Sequence, residues 1–166
     1  MRKLLFSSAL LSLGLACPAV AHHAGETSQL SKLVISHAWM HENAEMAHST
    51  SVYLTIDNQG TEADKLIGAE VDFADGAVFQ AQTVGADGVL AVQDIRGINI
   101  DPDQVLTLKP GVVWIELESV HRTFEHGDHF DLTLTFEKAG IIEVEVQIEP
   151  IDEHEHEDEH EKEELS

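Results

Sequence analysis

The sequence predicts an all-β domain, a two-sheet sandwich or Greek-key barrel of about nine short strands. Apolar residues alternate at Val113, Ile115 and Leu117, at Phe130, Leu132, Leu134 and Phe136, and at Ile142, Val144, Val146 and Ile148. A period of two belongs to strands with one buried face. Between these runs stand Lys109-Pro110-Gly111, Gly127-Asp128 and Lys138-Ala139-Gly140, which supply the φ freedom and missing donors that turns require. No stretch carries a convincing helical period.

Taken in order, the chain opens with a targeting segment. Met1-Arg2-Lys3 is positively charged, Leu4 to Leu15 is apolar, and Ala19-Val20-Ala21 is an A-x-A cleavage motif. A signal peptide over residues 1–21 is expected, with cleavage after Ala21 and export to the periplasm. A bilayer needs about 20 apolar residues, so this run is too short to span one. Gly14-Leu15-Ala16 lacks the Leu that usually stands three residues before a lipidated cysteine, so lipidation of Cys17 and a membrane anchor are not expected. Cys17 is the chain's single cysteine, and its loss with the leader excludes disulfides and thiolate ligands.

Residues 22–30 read as a His-containing arm. After cleavage His22 and His23 would offer a free α-amine and two imidazoles, nitrogen donors suited to Cu(II) or Zn(II); a frayed polar terminus is the plainer alternative. The β domain is expected over residues 31–150. Lys32 to His37 and Ser51 to Asp57 read as its first strands, and His37, Met40, His41, Met46 and His48 crowd the connection between them. Thioether favours Cu(I) and imidazole accepts either oxidation state, so this segment is a candidate copper site. The alternative is a surface loop in which Trp39 and one Met pack on the core.

Leu66 to Phe73, Ala77 to Val84 and Val89 to Ile95 follow as strands, separated by Asp75-Gly76 and Gly85-Ala86-Asp87-Gly88. His121, His126 and His129 cluster around a predicted turn and could take part in metal or acid–base chemistry, although solvated imidazole is the commoner case there. Residues 151–166 form an acidic tail with almost nothing to bury, expected to be disordered. Its His154, His156 and His160 sit among carboxylates and could gather Cu(II) or Zn(II) weakly, or the tail could serve solubility alone.

Across its 166 residues the chain carries nine basic against 31 acidic side chains, a net charge of −22. Such a surface repels nucleic acid and attracts cations or basic partners. The sequence holds no Gly-x-Ser-x-Gly elbow, phosphate-binding glycine loop or His-Glu-x-x-His pair, so no enzyme is expected. Calcium is a weak candidate, because no Asp-x-Asp-x-Asp-Gly loop is present.

From Leu33 to Ile148 the chain resembles the PCu(A)C family of periplasmic copper chaperones. The matching blocks are Ala38-Trp39, Val52-Tyr53-Leu54-Thr55-Ile56-Asp57-Asn58, Leu66-Ile67-Gly68-Ala69, Leu108-Lys109-Pro110-Gly111, Gly127-Asp128 and Leu132-Thr133-Leu134-Thr135-Phe136-Glu137. The resemblance implies a cupredoxin-like barrel, Cu(I) held by His and Met, and delivery of copper for the Cu(A) centre of cytochrome oxidase. It also implies a His, a Met and a His-x-Met, at positions that fall here on Gln80, Val92, Trp114 and Glu116. Oxygen donors are poor for Cu(I), so that copper site is not carried over.

Two functions therefore stand as expectations. In the first, the protein captures copper, with zinc as second candidate, through His37, Met40, His41, Met46 and His48, helped by His22, His23, His154, His156 and His160. It then hands the metal to a receiving periplasmic protein, such as a cytochrome oxidase subunit or its assembly factor. In the second, the barrel is a metal-free binding module with Trp114 as its contact point, or only the tail scavenges Zn(II) or Cu(II).

Overall fold

The structure, a computed structural model, describes residues 27–43, 47–85 and 88–151. These residues form eleven strands: β1 (Thr27–Leu30), β2 (Leu33–His41), β3 (Ser49–Asn58), β4 (Asp64–Glu70), β5 (Ala74–Val84), β6 (Leu90–Ile95), β7 (Ile98–Ile100), β8 (Val105–Leu108), β9 (Val113–Val120), β10 (His129–Phe136) and β11 (Gly140–Glu149). Among the described residues there is no helix, and hence none long and apolar enough to cross a membrane. The strand order is β6-β5-β9-β3-β2-β11-β10-β4-β7, with β1 on β2 and β8 on β3. Every pairing is antiparallel except β11 with β2. Strands from both ends of that order meet in one hydrophobic core, giving the all-β sandwich that the alternating pattern predicts.

Alternation explains most of the packing. In β10, Phe130, Leu132, Leu134 and Phe136 turn inward, and Val144, Val146 and Ile148 of β11 join them. Each such side chain contributes about 1.5–3 kcal/mol relative to exposure. The three elements that the sequence leaves hidden are β1, β7 and β8, each of three or four residues and too short to display a period. β1 also moves the start of the sheet ahead of Ser31, because Thr27 pairs with Ser36 and Leu30 with Leu33.

One strand breaks the simple period. In β2, Leu33 and Ile35 face inward, then the register with β3 shifts between Ser36 and Trp39. His37 adopts φ 51 at this bulge. One extra residue reverses the facing of all that follow. Ala38 and Met40 consequently enter the core, while Trp39 lies on the outer face against Tyr53, ring centroids 4.5 Å apart.

A buried asparagine and an aromatic plug pin the two ends of the sandwich. At one end Asn58 is 2% exposed and donates Nδ2–H to the carbonyls of Glu62, Ile100 and Asp101, while its Oδ1 accepts from Gly60 N–H. At the other, Phe124 inserts from the β9–β10 connection onto Phe73 and Phe130, with centroids 4.8 and 5.2 Å away. Asn43 ties that connection to the end of β2, donating to Arg122 O and accepting from Phe124 N–H.

Candidate functional site

The first candidate surface is the outer face of β2, β3, β9, β5 and β6. Strand pairing sets Gln147 beside Trp39, Trp39 beside Tyr53, Trp114 beside Gln80, and Gln80 beside Asp94. One step along, Glu116 lies between Ser51 and Val78. Three of the four positions at which the family resemblance implies ligands, Gln80, Trp114 and Glu116, are thus cross-strand or same-face neighbours. Val92 lies on the same face, opposite Gln82.

These side chains do not fit a soft metal ion. Glu116 Oε2 accepts a hydrogen bond from Ser51 Oγ at 2.6 Å and another from Trp114 Nε1 at 3.0 Å. Gln80 Nε2 donates to Asp94 Oδ1 at 3.0 Å, and Val92 offers only carbon. Tyr53, 9% exposed, has its phenol pKa raised first by burial and further by the Glu116 charge, against a lowering from the Ser51 hydrogen bond. The face is a hydrogen-bonded network with aromatic and aliphatic surface around it.

The second candidate is one end, or pole, of the sandwich. The ends of β2, β9 and β11 and the starts of β3 and β10 meet there, so His41, His48, His121, His126 and His129 share one end of the molecule. His41 Nδ1 stands 3.0 Å from Pro150 O. A carbonyl can only accept, so Nδ1 carries the proton in this contact, and in the neutral imidazole the lone pair is on Nε2. A backbone carbonyl plays this orienting part behind many metal-binding imidazoles. Glu42 binds two loops: Oε2 accepts from His126 N–H at 3.3 Å and Oε1 from Ile151 N–H at 3.4 Å. Pro150 and Ile151, where the acidic tail begins, thus contact His41 and Glu42.

The surroundings are strongly anionic. A cleft of 560 Å³ nearby is lined by Glu70, Asp72, Asp131 and Glu143, together with His129 and Arg122. His121 Nε2 meets Asp75 Oδ1 at 2.9 Å, and this hydrogen bond and the imidazole's charge hold the Asp75 carboxyl below its usual pKa. Both partners are well exposed, so the pair does little for stability.

The residues expected to bind metal therefore separate. His37 and His48 are exposed, His41 is half-buried, and the indole of Trp39 stands between His37 and His41, with centroid distances of 6.4 and 4.9 Å. Met40 is the correction: at 0% exposure inside the core its sulfur cannot reach a surface ion, because the bulge turned it inward. His22, His23, Met46, His154, His156 and His160 lie outside the described residues, as do the leader and Cys17. Among the described residues no group of three or more His, Cys, Asp or Glu side chains is arranged around a common point. Sequence reasoning missed Glu42 and Asn43, whose roles arise only from contacts across the fold.

Comparison with known proteins agrees with this architecture. The model of the LpqE-like family, whose description reads "Putative lipoprotein LpqE-like", matches residues 33–148. No curated protein matches the sequence. Among solved structures, the apo PCuAC domain from PmoF1 is 27% identical with a TM-score of 0.65, the match covering 76% of this chain and 100% of that domain. The copper-bound PCuAC domain from PmoF2 is 23% identical with a TM-score of 0.65, over 76% of this chain and 99% of that one. The apo-DR1885 solution structure from Deinococcus radiodurans is 18% identical with a TM-score of 0.58, over 89% and 97%.

Proposed function

This chain belongs to the LpqE-like family and has the fold of PCuAC domains, and from that premise we propose that it is an exported copper-handling protein, acting without catalysis. It captures copper with imidazoles at the His pole and on the chain segments that meet it, and passes it to a receiving periplasmic protein. A subunit or assembly factor of cytochrome oxidase is the recipient that the PCu(A)C resemblance suggests. The observation that carries this reading is the start of the tail at the pole, where Ile151 N–H is held by Glu42 and Pro150 O by His41. His154, His156 and His160 follow within a few residues.

Nitrogen and oxygen donors favour Cu(II) and Zn(II) over Cu(I). Few fixed ligands also suit exchange better than storage. Competition titrations of Cu(I), Cu(II) and Zn(II) on the full mature chain and on a variant with His154, His156 and His160 all changed to Ala test the proposal. We expect Cu(II) affinity to fall by about tenfold or more in the variant, in line with the loss of several ligands. Undiminished Cu(II) affinity would remove the tail from the site, and no copper affinity in either protein would remove the function.

One observation favours the second reading, a metal-free module for a periplasmic partner. Glu116, Trp114 and Ser51 form a closed hydrogen-bonded group where the resemblance implies ligands. On that reading Trp114→Ala weakens partner binding and leaves metal content unchanged.

A further inference from the structure

The β5–β6 hairpin carries surface that neither the His pole nor the Glu116 network uses. β6 ends the strand order, and among the described residues it pairs with β5 alone. Its first five residues, Leu90 to Asp94, are exposed, and only Ile95 is partly covered. Val84, Leu90 and Val92 are 67, 61 and 53% exposed, and pairing of Val84 with Leu90 and of Gln82 with Val92 places all three on the outer face. Trp114 is next to Gln80 on that face, so the apolar patch continues inward from the edge.

Natural sheets usually protect such an edge with lysine, proline, a bulge or a covering loop. β6, Leu90-Ala91-Val92-Gln93-Asp94-Ile95, has no lysine or proline, and its register with β5 runs unbroken from Leu90 to Ile95. Gly97 then turns the chain sharply away, with φ 140 and so close to β4 that a Cβ would stand 2.6 Å from Leu66 O. Among the described residues, the chain after β6 therefore leaves the edge uncovered.

We propose that β6 is a self-pairing edge, at which two copies of this chain join antiparallel to make one continuous sheet. Charge selects the occupant. A basic partner would be drawn to the acidic surfaces of a chain with a net charge of −22, yet the one acid in β6, Asp94, is engaged by Gln80. What the edge offers is backbone and aliphatic side chain, which a second identical strand matches without any opposite charge. A two-fold axis at Val92 sets the two Val92 side chains against each other and Ala91 against Gln93 of the second copy. This isologous arrangement closes at two subunits and leaves no further edge at β6.

Salt distinguishes this interface from an ionic one. Two chains of like charge repel, and the Debye length shrinks from about 10 Å at 0.1 M to about 3 Å at 1 M ionic strength, so pairing through apolar edges strengthens as salt is added. Sedimentation equilibrium of the full mature chain should show a monomer–dimer equilibrium whose dissociation constant falls across that range. Val92→Lys, which places a charge on the edge in the way natural edge strands do, should raise the dissociation constant by about tenfold or more. In the chain from His22 onward, which holds no other cysteine, Val92→Cys should yield a disulfide-linked dimer under mild oxidation. Val105→Cys, 62% exposed on β8, should remain monomeric. A monomer at every salt concentration overturns the proposal, as does a dimer indifferent to Val92→Lys.

Discussion

The outer sheet face and the His pole belong to the same barrel but differ in how their polar atoms are used. On the face, the Glu116 carboxylate is shared by Ser51 and Trp114, and Gln80 is bound to Asp94. At the pole, backbone contacts orient His41 and Glu42 while several imidazoles face solvent. A rigid sheet holds side chains at fixed separations, which suits a preformed site. Here that rigid region has been given to hydrogen bonds, and the nitrogen donors of the pole stand where strand ends, loops and residues Pro150 and Ile151 come together. The contrast shows how one scaffold can keep its architecture while the polar side chains on its strand faces and at its connections are put to different uses.

The largest effect that could break this contrast concerns Met40. As a core side chain it should cost about 2–5 kcal/mol when changed to Ala, seen as a large drop in melting temperature, with copper affinity unchanged. A variant that keeps its melting temperature but loses Cu(I) affinity would return Met40 to the surface and put the β2 bulge in the wrong place.

A smaller effect sharpens the description of the face. Tyr53 is the chain's single tyrosine, so alkaline absorbance titration reads it alone. Burial raises its pKa chiefly and the Glu116 charge adds to this, so Glu116→Gln should shift the phenol's titration to lower pH. The sign for stability follows from the same shift. The unfolded chain gives up its phenol proton first, so the contribution of Tyr53 is complete below about pH 10 and is lost as pH rises through the folded value. An unmoved titration in Glu116→Gln would separate Tyr53 from the network.

The smallest effect belongs to the pole. His121→Ala should let the Asp75 carboxyl return upward toward its ordinary pKa, followed by carboxyl chemical shifts, while the melting temperature barely changes because the pair is exposed. The depressed Asp75 value means that its small contribution is present above the unfolded pKa and fades as pH falls through the folded one. A substantial loss of melting temperature would show the pole to be structurally coupled to the core through His121.

Much of the fold was legible because strand burial has a short period. Val113 to Leu117, Phe130 to Phe136 and Ile142 to Ile148 declare their inward faces with no knowledge of their partners, and Lys109-Pro110-Gly111 and Gly127-Asp128 mark where they turn. The resemblance blocks gave the same architecture. The candidate site was only partly legible. The density of histidine was visible, but the gathering of His41, His126 and the start of the tail around Glu42 joins residues far apart in sequence.

The sequence by itself determined the all-β class, the acidic character and the loss of soft donors at Gln80, Val92, Trp114 and Glu116, because composition, alternation and residue chemistry are local properties. Tertiary structure alone decided that Met40 is buried in the core, that Glu116 is already occupied by Ser51 and Trp114, and that β6 ends the strand order among the described residues. A bulge, a cross-strand contact and a strand order all depend on which segments pair, and pairing is set by the packing of the whole chain rather than by any one stretch of it.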